Sequence, residues 1–449
     1  MAGRAGVLVV GAGSAGAVLA ARLSERPDRT VTLLEAGPDH DAAGTPASIS
    51  GPSFVAAMGE PGRLWPDLQA RRTDRQALRL YARGRGVGGS SAVNAMVALP
   101  GEPGDYDEWE RDFGCAGWGW ASVGPVFERL PLPLRTATPA ETGAVARALL
   151  AAEEAAEPAL LTRSADGRRA SVNEVYLEAA RARPNLKVRG DALADRVLLD
   201  GRRVAGVRLA SGEEIEAATV VVCAGAIHSP AILLRSGVER AGIGLGLQDH
   251  PSFPLTLRLR RPTDEPLSRP AVTALLRATH AVHHDLQLLA MDALDGALPD
   301  LGLLMGAVMR AHSRGTVRLA SGDPTVDPIV DFRMLSDERD LDALRAAAVL
   351  AERVALSAPM AAVAAPEPYD RSDDGLRASV GDYVHAAGTC RMGSASDDLA
   401  VVDTQCRVVG YDGLLVCDAS VMPTVPRANT HLPTVMIAER VAAMFAQLH

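Results

Sequence analysis

Residues 6–25, GVLVVGAGSAGAVLAARLSE, decide the fold of this chain. A short run of valine and leucine leads into a glycine-rich turn, and apolar residues at helical spacing follow the turn. Residues 30–37, TVTLLEAG, have the composition of a second buried strand. The opening imitates a signal peptide, but a strand, turn, helix and strand account for more of it. The two stretches predict a βαβ unit at the N-terminus.

The glycine turn has the spacing Gly11-x-Gly13-x-x-Gly16, which is a weak signal by itself in a chain with 42 glycines. Its context is more specific, because Glu35 stands at the end of the second predicted strand. A carboxylate at that place binds the ribose of a dinucleotide whose pyrophosphate lies at the helix N-terminus. We therefore predict dinucleotide binding rather than a plain glycine-rich turn.

Further along the chain, the pattern indicates a doubly wound sheet and a second domain. Residues 218–238 again have the order strand, glycine turn and helix, and residues 185–209 alternate around an Asp-Gly turn as a hairpin or meander does. Residues 131–165 hold one alanine-rich helix between proline-containing loops. Residues 251–375 mix alternating strands with a helix around 338–357, so we assign them to a substrate-facing domain.

The composition excludes several classes of protein. Of the 449 residues 47% are hydrophobic and 22% are charged, which is ordinary for a globular protein. The formal net charge of −9 comes without a long basic run, so we expect no nucleic-acid partner. No uninterrupted apolar stretch reaches the length of a membrane span. The five cysteines are scattered, which favours a reduced, cytoplasmic protein.

Several motifs together resemble the glucose-methanol-choline (GMC) family of FAD oxidoreductases. The resemblance begins at the N-terminal unit and continues in family order to about residue 445. It rests on the stretches RGRGVGGSSAVNAMVALPGEPGDYDEW (83–109), GAIHSPAILLRSGV (225–238), LQDHP (247–251), SRGTVRL (313–319), HAAGTCRMG (385–393) and VCDASVMPTV (416–425). An ordered series is more specific than any single motif, and it favours FAD over NAD. It also suggests a short member of the choline dehydrogenase-like alcohol dehydrogenases, of actinobacterial type.

The resemblance implies an α/β fold with a Rossmann-like FAD-binding domain built from discontinuous segments. A cap domain with a mainly antiparallel sheet and helices should cover the flavin ring. On this basis we expect residues 1–130, 165–250 and 376–449 to form the FAD-binding domain. Residues 131–164 and 251–375 should form a shortened cap.

The resemblance also implies which residues bind FAD. The pyrophosphate should contact the N-terminal glycine turn, the ribose should contact Glu35, and the flavin ring should contact the second glycine segment. Backbone amides in such turns bind phosphate and polarise flavin carbonyls. The expected set is Gly11, Gly13, Ser14, Ala15, Gly16, Glu35, Ala36, Gly86, Asn94, Ala95, Met96, Val97, Ala194, Asp418, Ala419, Pro433 and Thr434.

Two histidines match the catalytic positions of the family. His385 begins HAAGT, and His431 lies in NTHLPT, at a position where the family has His or Asn. Oxidation of an alcohol by flavin requires a group that takes the hydroxyl proton, and histidine has a suitable pKa. By resemblance, one of the two is the base or hydrogen-bond acceptor and the other orients the hydroxyl.

The remaining histidines have other expected roles. The stretch HAVHHD (280–285) invites a metal interpretation, but we place His283 and His284 on one strand near the substrate. Neighbouring residues of a strand face opposite sides, so these two side chains should not share one ion. We predict no metal site. His228 and His250 are expected to be structural hydrogen-bonding residues.

The sequence departs from the family pattern in three respects. Some members attach FAD covalently to a histidine just before the asparagine that is Asn94 here, and this chain has Val93 there. We therefore predict non-covalent FAD. Gly246 and Glu239 replace the usual residues of two loops. The chain is also short around residues 131–165 and 251–310, which raises the hypothesis of a more open site.

The resulting functional hypothesis is oxidation of a small-molecule alcohol to an aldehyde or ketone by hydride transfer to the N5 atom of FAD. Oxygen, or a quinone-like or protein electron acceptor, should then reoxidise the flavin. Two alternatives stay open: a redox-neutral lyase of the hydroxynitrile lyase kind that keeps FAD as structure, and a dehydrogenase associated with a peptide-derived redox cofactor such as mycofactocin. The oligomeric state is left open.

Overall fold

The computed structural model describes residues 5–265 and 267–447. The strands in these ranges are β1 (Ala5–Val10), β2 (Val31–Leu34), β3 (Gln69–Arg71), β4 (Arg79–Leu80), β5 (Leu134–Arg135), β6 (Ala156–Pro158), β7 (Leu161–Thr162), β8 (Leu186–Arg189), β9 (Ala194–Asp200), β10 (Arg203–Leu209), β11 (Glu214–Val222), β12 (Leu245–Leu247), β13 (Ser252–Leu259), β14 (Val272–Ala278), β15 (Leu286–Met291), β16 (Leu301–Val308), β17 (Gly315–Arg318), β18 (Ile329–Asp331), β19 (Ala364–Pro366) and β20 (Leu414–Val416). The α-helices are α1 (Gly16–Leu23), α2 (Ala47–Ser50), α3 (Phe54–Met58), α4 (Pro103–Phe113), α5 (Trp120–Phe127), α6 (Ala144–Ala152), α7 (Glu178–Ala180), α8 (Gly225–Arg235), α9 (Glu338–Ala355), α10 (Ala358–Ala361), α11 (Asp373–Ser379) and α12 (His431–Gln447).

The predicted βαβ unit lies at the centre of a seven-stranded sheet. Strand β1 pairs in parallel with β2 on one side and with β11 on the other. Strand β8 extends the sheet beyond β2, and β20 extends it beyond β11. Val9 and Leu33 are fully buried within it. Their burial explains the continuous apolar runs, since parallel strands are covered on both faces.

Of the hairpin or meander predicted for residues 185–209, the hairpin is present, whereas β8 pairs in parallel with β2. Strands β9 and β10 form an antiparallel hairpin whose turn contains Gly201, with φ +60°. Strand β10 then pairs with the first residues of β11, whose last residues belong to the parallel part of the sheet. The long strand β11 therefore joins the hairpin to the βαβ unit.

A second, six-stranded sheet has the order β19-β13-β16-β15-β14-β6 and is antiparallel throughout. Helix α9 packs on it and begins after Asp337, whose side chain accepts a hydrogen bond from the Arg339 N–H. Leu341 and Leu344 are completely buried on the inner face of this helix. The helix predicted around 338–357 is thus confirmed. We call this six-stranded sheet the cap sheet, and with it the predicted α/β fold with a mainly antiparallel second domain is confirmed.

A third sheet has the order β12-β17-β18-β3-β4. It combines strands at residues 69–80 and 245–247, which we expected in the FAD-binding domain, with strands at 315–331, which we expected in the cap. A sheet that crosses the expected boundary couples the two parts of the chain through backbone hydrogen bonds. The division of the chain into an FAD-binding domain and a cap domain therefore stays a prediction.

Two large apolar cores lie beside the parallel sheet and the cap sheet, and a smaller apolar cluster joins the two parts. Met96 and Val97 contribute to this cluster from the second glycine segment, and Leu289 and Met291 contribute from the cap sheet. All five cysteines are buried as free thiols. Within the described ranges, none of the helices has the length and apolar character needed to cross a membrane.

Candidate active site

A large cavity lies at the carboxyl ends of the parallel strands. Its wall includes Val10 at the end of β1, Leu34 at the end of β2, Cys223 just after β11 and Asp418 just after β20. The space that is free of protein atoms measures about 1940 Å³, including the opening to solvent. Ligands of open α/β sheets bind at this edge, because adjacent connections diverge there and leave a crevice.

Two glycine segments touch at one end of the cavity. A Cβ atom on Gly89 would lie 2.6 Å from the Cα atom of Gly13, so Gly89 has no room for a side chain, whereas a Cβ atom on Gly13 would be in ordinary contact at 3.8 Å. Gly11 has φ +100°, and a Cβ atom there would lie 2.5 Å from the carbonyl oxygen of Cys223. A Cβ atom on Gly16 would lie 1.9 Å from the carbonyl oxygen of Gly11. These close approaches expose backbone amides to a ligand, as phosphate binding requires.

The Glu35 carboxylate connects both glycine segments. Its Oε2 atom accepts a hydrogen bond from the Ala12 N–H at 2.8 Å, and Oε1 accepts from Gly37 at 3.0 Å and Gly86 at 2.9 Å. Glu35 is buried and lines the cavity. A carboxylate in this position fixes the shape of the cleft and faces the place where a ribose hydroxyl would bind.

Most of the predicted site residues line this one cavity. The predicted residues that lie in its wall are Gly11, Gly13, Ser14, Ala15, Glu35, Ala36, Asn94, Ala95, Met96, Val97, Ala194, Asp418, Ala419, Thr434, His385 and His431. Gly16, Gly86 and Pro433 are not among the lining residues. Gly16 permits the approach of α1 to Gly11, Gly86 binds Glu35, and Pro433 lies in the first turn of α12.

His385 is held from several sides. Its Nδ1 atom lies 3.0 Å from Nδ1 of His250, and its backbone N–H donates to Oδ1 of Asp249 at 3.0 Å. The same oxygen accepts the backbone N–H of His250 at 2.7 Å. The Tyr81 hydroxyl donates to Oδ2 of Asp249 at 3.0 Å and accepts from the Ala386 N–H at 3.3 Å. Asp249 thus anchors both histidines through their backbone.

The backbone before His385 is strained. Val384 has φ +59°, a conformation in which a β-branched residue is rarely found. The neighbouring Tyr383 ring packs edge-on against His385, with ring centroids 4.9 Å apart, and its hydroxyl donates to Oε1 of Gln287 at 2.7 Å. Such strain persists only where the surroundings determine the conformation, and it is concentrated at functional sites.

Burial keeps the histidines at this place neutral. Burial, the His250 ring and the Arg83 guanidinium lower the pKa of His385 well below its usual value. Burial lowers the pKa of His250 to about 3. Burial and the nearby Asp382 raise the pKa of Asp249 to about 7. A neutral imidazole has a lone pair on one nitrogen, so His385 can accept a proton at neutral pH.

His431 lies in a different part of the same cavity. It begins α12, and its Nδ1 atom lies 3.1 Å from the Ser14 hydroxyl in the first glycine turn. Burial and the nearby Arg169 lower its pKa to about 4. Its Nε2 atom is buried without a hydrogen-bond partner among the described residues. The two predicted catalytic histidines therefore share a cavity, while each ring is bonded to another group.

Several cavity residues were not identified from the sequence. Asn429 lines the cavity, and its Oδ1 atom is buried with no partner in the described part of the chain. It stands two residues before His431, and a second polar side chain so close to a predicted site residue was a signal for it in the sequence. Arg83 also lines the cavity, close to His385. His250 lies in a motif that we assigned to structure, and only the fold brings it to His385.

His228 is another residue of the cavity wall that we did not predict as part of the site. It was expected to be structural, and it stacks on Trp65 in the cavity wall, with ring centroids 4.0 Å apart. Its Nε2 atom lies 3.5 Å from Asp327. A periodicity argument could not find this pair, because α8 and the loop after α3 meet only in the folded chain.

The prediction that His283 and His284 lie on a strand is wrong. They form a turn before β15, in which His284 has φ +54°. Their ring centroids lie 3.6 Å apart, and Nδ1 of His284 lies 2.8 Å from Oε1 of Glu102. The strand argument against a shared ion therefore fails. The Arg277 guanidinium lies 3.2 Å from the same carboxylate oxygen and supplies its counter-charge.

Comparisons with known proteins agree with this geometry. Two family models described as GMC oxidoreductase match residues 5–252, which is more than half of the chain, and residues 311–438. The 5-(hydroxymethyl)furfural oxidase of Methylovorus sp. strain MP688 is 33% identical over 525 aligned positions, which cover 97% of each chain. This alignment is longer than the 449 residues of the present chain, so the relative carries insertions.

Two further similarities concern other substrates. Oxygen-dependent choline dehydrogenase 1 of Chromohalobacter salexigens is 32% identical, and the match covers 97% of this chain and 93% of the relative. The crystal structure of pyridoxine 4-oxidase from Mesorbium loti has a TM-score of 0.91 and 28% identity, and covers 99% of this chain and 100% of that one.

The touching glycine segments and the Glu35 carboxylate fit a dinucleotide, and FAD is the cofactor of the matched family. The protein is therefore an FAD-dependent oxidoreductase that acts on alcohol CH–OH groups. With family models matching both its N-terminal and C-terminal parts, the chain belongs to the GMC oxidoreductase family.

Proposed function

We propose that this enzyme oxidises a small alcohol to an aldehyde or ketone and that His385 takes the hydroxyl proton. FAD, when bound, supplies the acceptor for the hydride that leaves the alcohol carbon. The observation that carries the proposal is the position of His385, a neutral ring in the wall of the cavity that begins at the two glycine segments. A positioned base of this kind contributes about 10²- to 10⁴-fold to a rate.

The contact between His250 and His385 supports a specific protonation state. Two Nδ1 atoms 3.0 Å apart can form a hydrogen bond only if one ring carries its proton there and the other does not. We propose that His385 donates this proton, which leaves the lone pair of its Nε2 atom for the substrate. His250 would then accept on Nδ1 and carry its own proton on Nε2, an atom that is buried without a hydrogen-bond partner in the described part of the chain.

A second polar group is needed to orient the substrate hydroxyl, and the first residue of α12 and the loop before it offer two candidates. His431 has one ring nitrogen bonded to Ser14 in the first glycine turn, whereas the amide of Asn429 has an uncommitted oxygen. We propose that Asn429 orients the alcohol and that His431 supports the cofactor end of the cavity. This assignment modifies the expectation of a histidine pair.

The identity of the electron acceptor is a further part of the proposal. The matched relatives are an oxidase and an oxygen-dependent dehydrogenase, so we propose that oxygen reoxidises the flavin. A quinone-like dye or a protein acceptor is the alternative outcome. The rate at which reduced enzyme recovers its flavin colour in air, compared with the rate in the presence of such a dye, decides between them.

The central experiment is anaerobic mixing of the holoenzyme with a panel of alcohols. Loss of the flavin absorbance, with formation of one carbonyl product per flavin, is the expected result. A redox-neutral lyase would instead cleave a hydroxynitrile and leave the absorbance unchanged with every alcohol. That outcome would overturn the proposal.

We also propose that FAD is held without a covalent bond. Val93 stands where a histidine linkage would require a nucleophilic nitrogen, and it is buried in the cavity wall. Denaturation followed by filtration should release all of the flavin into the filtrate. Flavin that stays with the precipitated chain would contradict this.

A further inference from the structure

The cap side of the cavity has an apolar wall. Phe54 on α3 and four residues of the cap sheet, Val272, Leu289, Met291 and Met305, line it. We call the space beside these five residues the apolar chamber. All five belong to the small cluster that joins the second glycine segment to the cap sheet.

The register of the cap sheet explains why these side chains face one space. Met291 pairs with Val272 on β14, and Leu289 pairs with Met305 on β16. Leu289 and Met291 are two residues apart on β15, so their side chains lie on the same face. Gln287 precedes them on that face, and its side-chain Oε1 atom accepts the hydrogen bond of the Tyr383 hydroxyl. The Tyr383 hydroxyl and the Gln287 Oε1 atom are therefore already engaged with each other.

No uncommitted carboxylate faces the chamber among the described residues that line the cavity. The two carboxylates in the wall are Glu35 and Asp418. Glu35 accepts three backbone N–H groups in the glycine segments. Asp418 accepts from the Gly225 N–H at 2.8 Å, from the Ser229 hydroxyl at 2.6 Å and from the Ser420 N–H at 2.8 Å. Both belong to the cofactor end of the cavity, where they order the backbone.

In the cavity wall, the charged side chain near the proposed base is the cation Arg83. The Asp249 carboxylate behind His385 is not part of the wall, and its oxygens accept hydrogen bonds from the His250 and His385 N–H groups and the Tyr81 hydroxyl. Arg83 lines the cavity and donates to the carbonyl oxygen of Val384, the residue before His385. The aromatic ring of Trp65 is stacked on His228 and has the Arg85 guanidinium 5.7 Å from its centroid. A cationic substrate would thus meet the Arg83 guanidinium, and the described carboxylates of the cavity wall, at the cofactor end, are already hydrogen-bonded. Juxtaposed like charges cost several kilocalories per mole, which is two or more powers of ten in a binding constant.

From this distribution we infer the substrate class: an uncharged alcohol whose CH–OH carbon is attached to an aromatic or similarly flat apolar group. This inference rests on the proposed function and adds a choice between kinds of alcohol. Methionine side chains adapt to flat rings and make favourable contacts between sulfur and aromatic edges. In the reaction, the hydroxyl proton passes to His385, the carbon loses a hydride to FAD, and the aldehyde or ketone leaves. Choline-type alcohols are excluded.

The test compares three alcohols with the wild-type holoenzyme under anaerobic conditions: benzyl alcohol, choline, and 3,3-dimethylbutan-1-ol, the uncharged isostere of choline. The second-order rate of flavin reduction should be at least about 100-fold higher with benzyl alcohol than with choline, and higher with the isostere than with choline. Choline reducing the flavin as fast as its isostere would overturn the inference. Failure of every alcohol would instead reject the proposed function.

A variant supplies the converse test. Met305→Glu places a carboxylate in the chamber and should raise the ratio of choline to 3,3-dimethylbutan-1-ol at least tenfold. Val349→Glu, on the exposed side of α9, is the matched control and should leave the ratio unchanged. If Met305→Glu does not fold, binding of benzamide and of benzyltrimethylammonium to wild-type enzyme, followed by the flavin absorbance, replaces it. Equal binding of the two would contradict the inference.

Discussion

The cofactor end and the cap end of the cavity differ in what forms their walls. At the cofactor end, glycines approach one another so closely that backbone amides form the surface, as Gly13 and Gly89 do. At the cap end, side chains of antiparallel strands form it. A wall formed by backbone suits the cofactor, which is the same for every substrate. The side chains that form the cap end can be replaced without moving the backbone. Selectivity for the alcohol can therefore vary while cofactor binding is retained.

The largest expected effect concerns His385, the proposed base, and tests whether the reaction takes place where the two ends of the cavity meet. His385→Gln should lower the rate of flavin reduction by about 10²- to 10⁴-fold, because the base is removed while FAD binding is retained. His280→Gln, the same change at an exposed histidine, is the control. Stopped-flow flavin reduction measures both variants. An unchanged rate in His385→Gln would show that another group takes the proton.

The next prediction separates two roles of glycine at the cofactor end. A Cβ atom on Gly13 has its nearest neighbour 3.8 Å away, so Gly13→Ala should leave the stability of the apoprotein unchanged and lower FAD affinity at least tenfold. Gly16→Ala should destabilise the apoprotein by about 1–3 kcal/mol, because its Cβ atom overlaps Gly11. Flavin fluorescence titration and apoprotein melting give the two quantities.

Gly322→Ala is the control for both glycine variants, since a Cβ atom there has no neighbour within 4 Å. Equal destabilisation by Gly13→Ala and Gly16→Ala would mean that the first glycine is structural as well. The cofactor end would then resemble an ordinary packed core rather than a surface shaped for its ligand.

A third prediction uses pH to examine His431. Its pKa is about 4 in the folded enzyme and near 6.5 in the unfolded chain, so the unfolded chain binds the proton first as the pH falls below 6.5. The folded state therefore loses stability between about pH 6.5 and pH 4. At pH 5 this term amounts to roughly 2 kcal/mol.

The variant His431→Asn removes this term. Its free energy of unfolding minus that of wild type should be about 2 kcal/mol higher at pH 5 than at pH 8, because the variant lacks the destabilising term. Denaturant unfolding at the two pH values measures the difference. Asp249 titrates with the opposite sign, because burial raises its pKa to about 7, but it is present in both proteins and cancels. A difference that does not depend on pH would contradict a neutral, buried His431.

The smallest expected effect concerns the loop before α12. Asn429→Ala should lower kcat/KM about tenfold, the value of one hydrogen bond, and leave FAD affinity unchanged. His431→Asn should do the reverse, with weaker FAD binding and nearly normal kcat/KM at saturating FAD. Steady-state kinetics and flavin titration of the two variants check this. If the effects are exchanged, His431 belongs to the substrate end.

The cofactor end could largely be predicted from the sequence. The Gly11 to Gly16 turn, Glu35 and the second glycine segment are local patterns, and each pattern has one backbone geometry that suits it. The helix at 338–357 and the hairpin within residues 185–209 were likewise visible as periodic patterns, and the structure contains both, although β8 at the start of that stretch pairs in parallel with β2.

The cap end could not be predicted in this way. The contact between His250 and His385 depends on loops that meet only after folding. The apolar chamber depends on the register of β14, β15 and β16, which apolar composition alone does not determine. The error at His283 has the same origin, since an apolar strand beginning at Leu286 says little about where the preceding turn ends.

The position of β20 bears on how the enzyme is assembled in the cell. Strand β11 pairs with β1 from the start of the chain and with β20 near its end, and Asp418 and α12 follow β20. A ribosome releases β20 only after almost all other strands have been made. The cofactor cleft is thus completed only once β20 and the residues after it have been made, and a chain that stops before residue 414 should emerge without bound flavin.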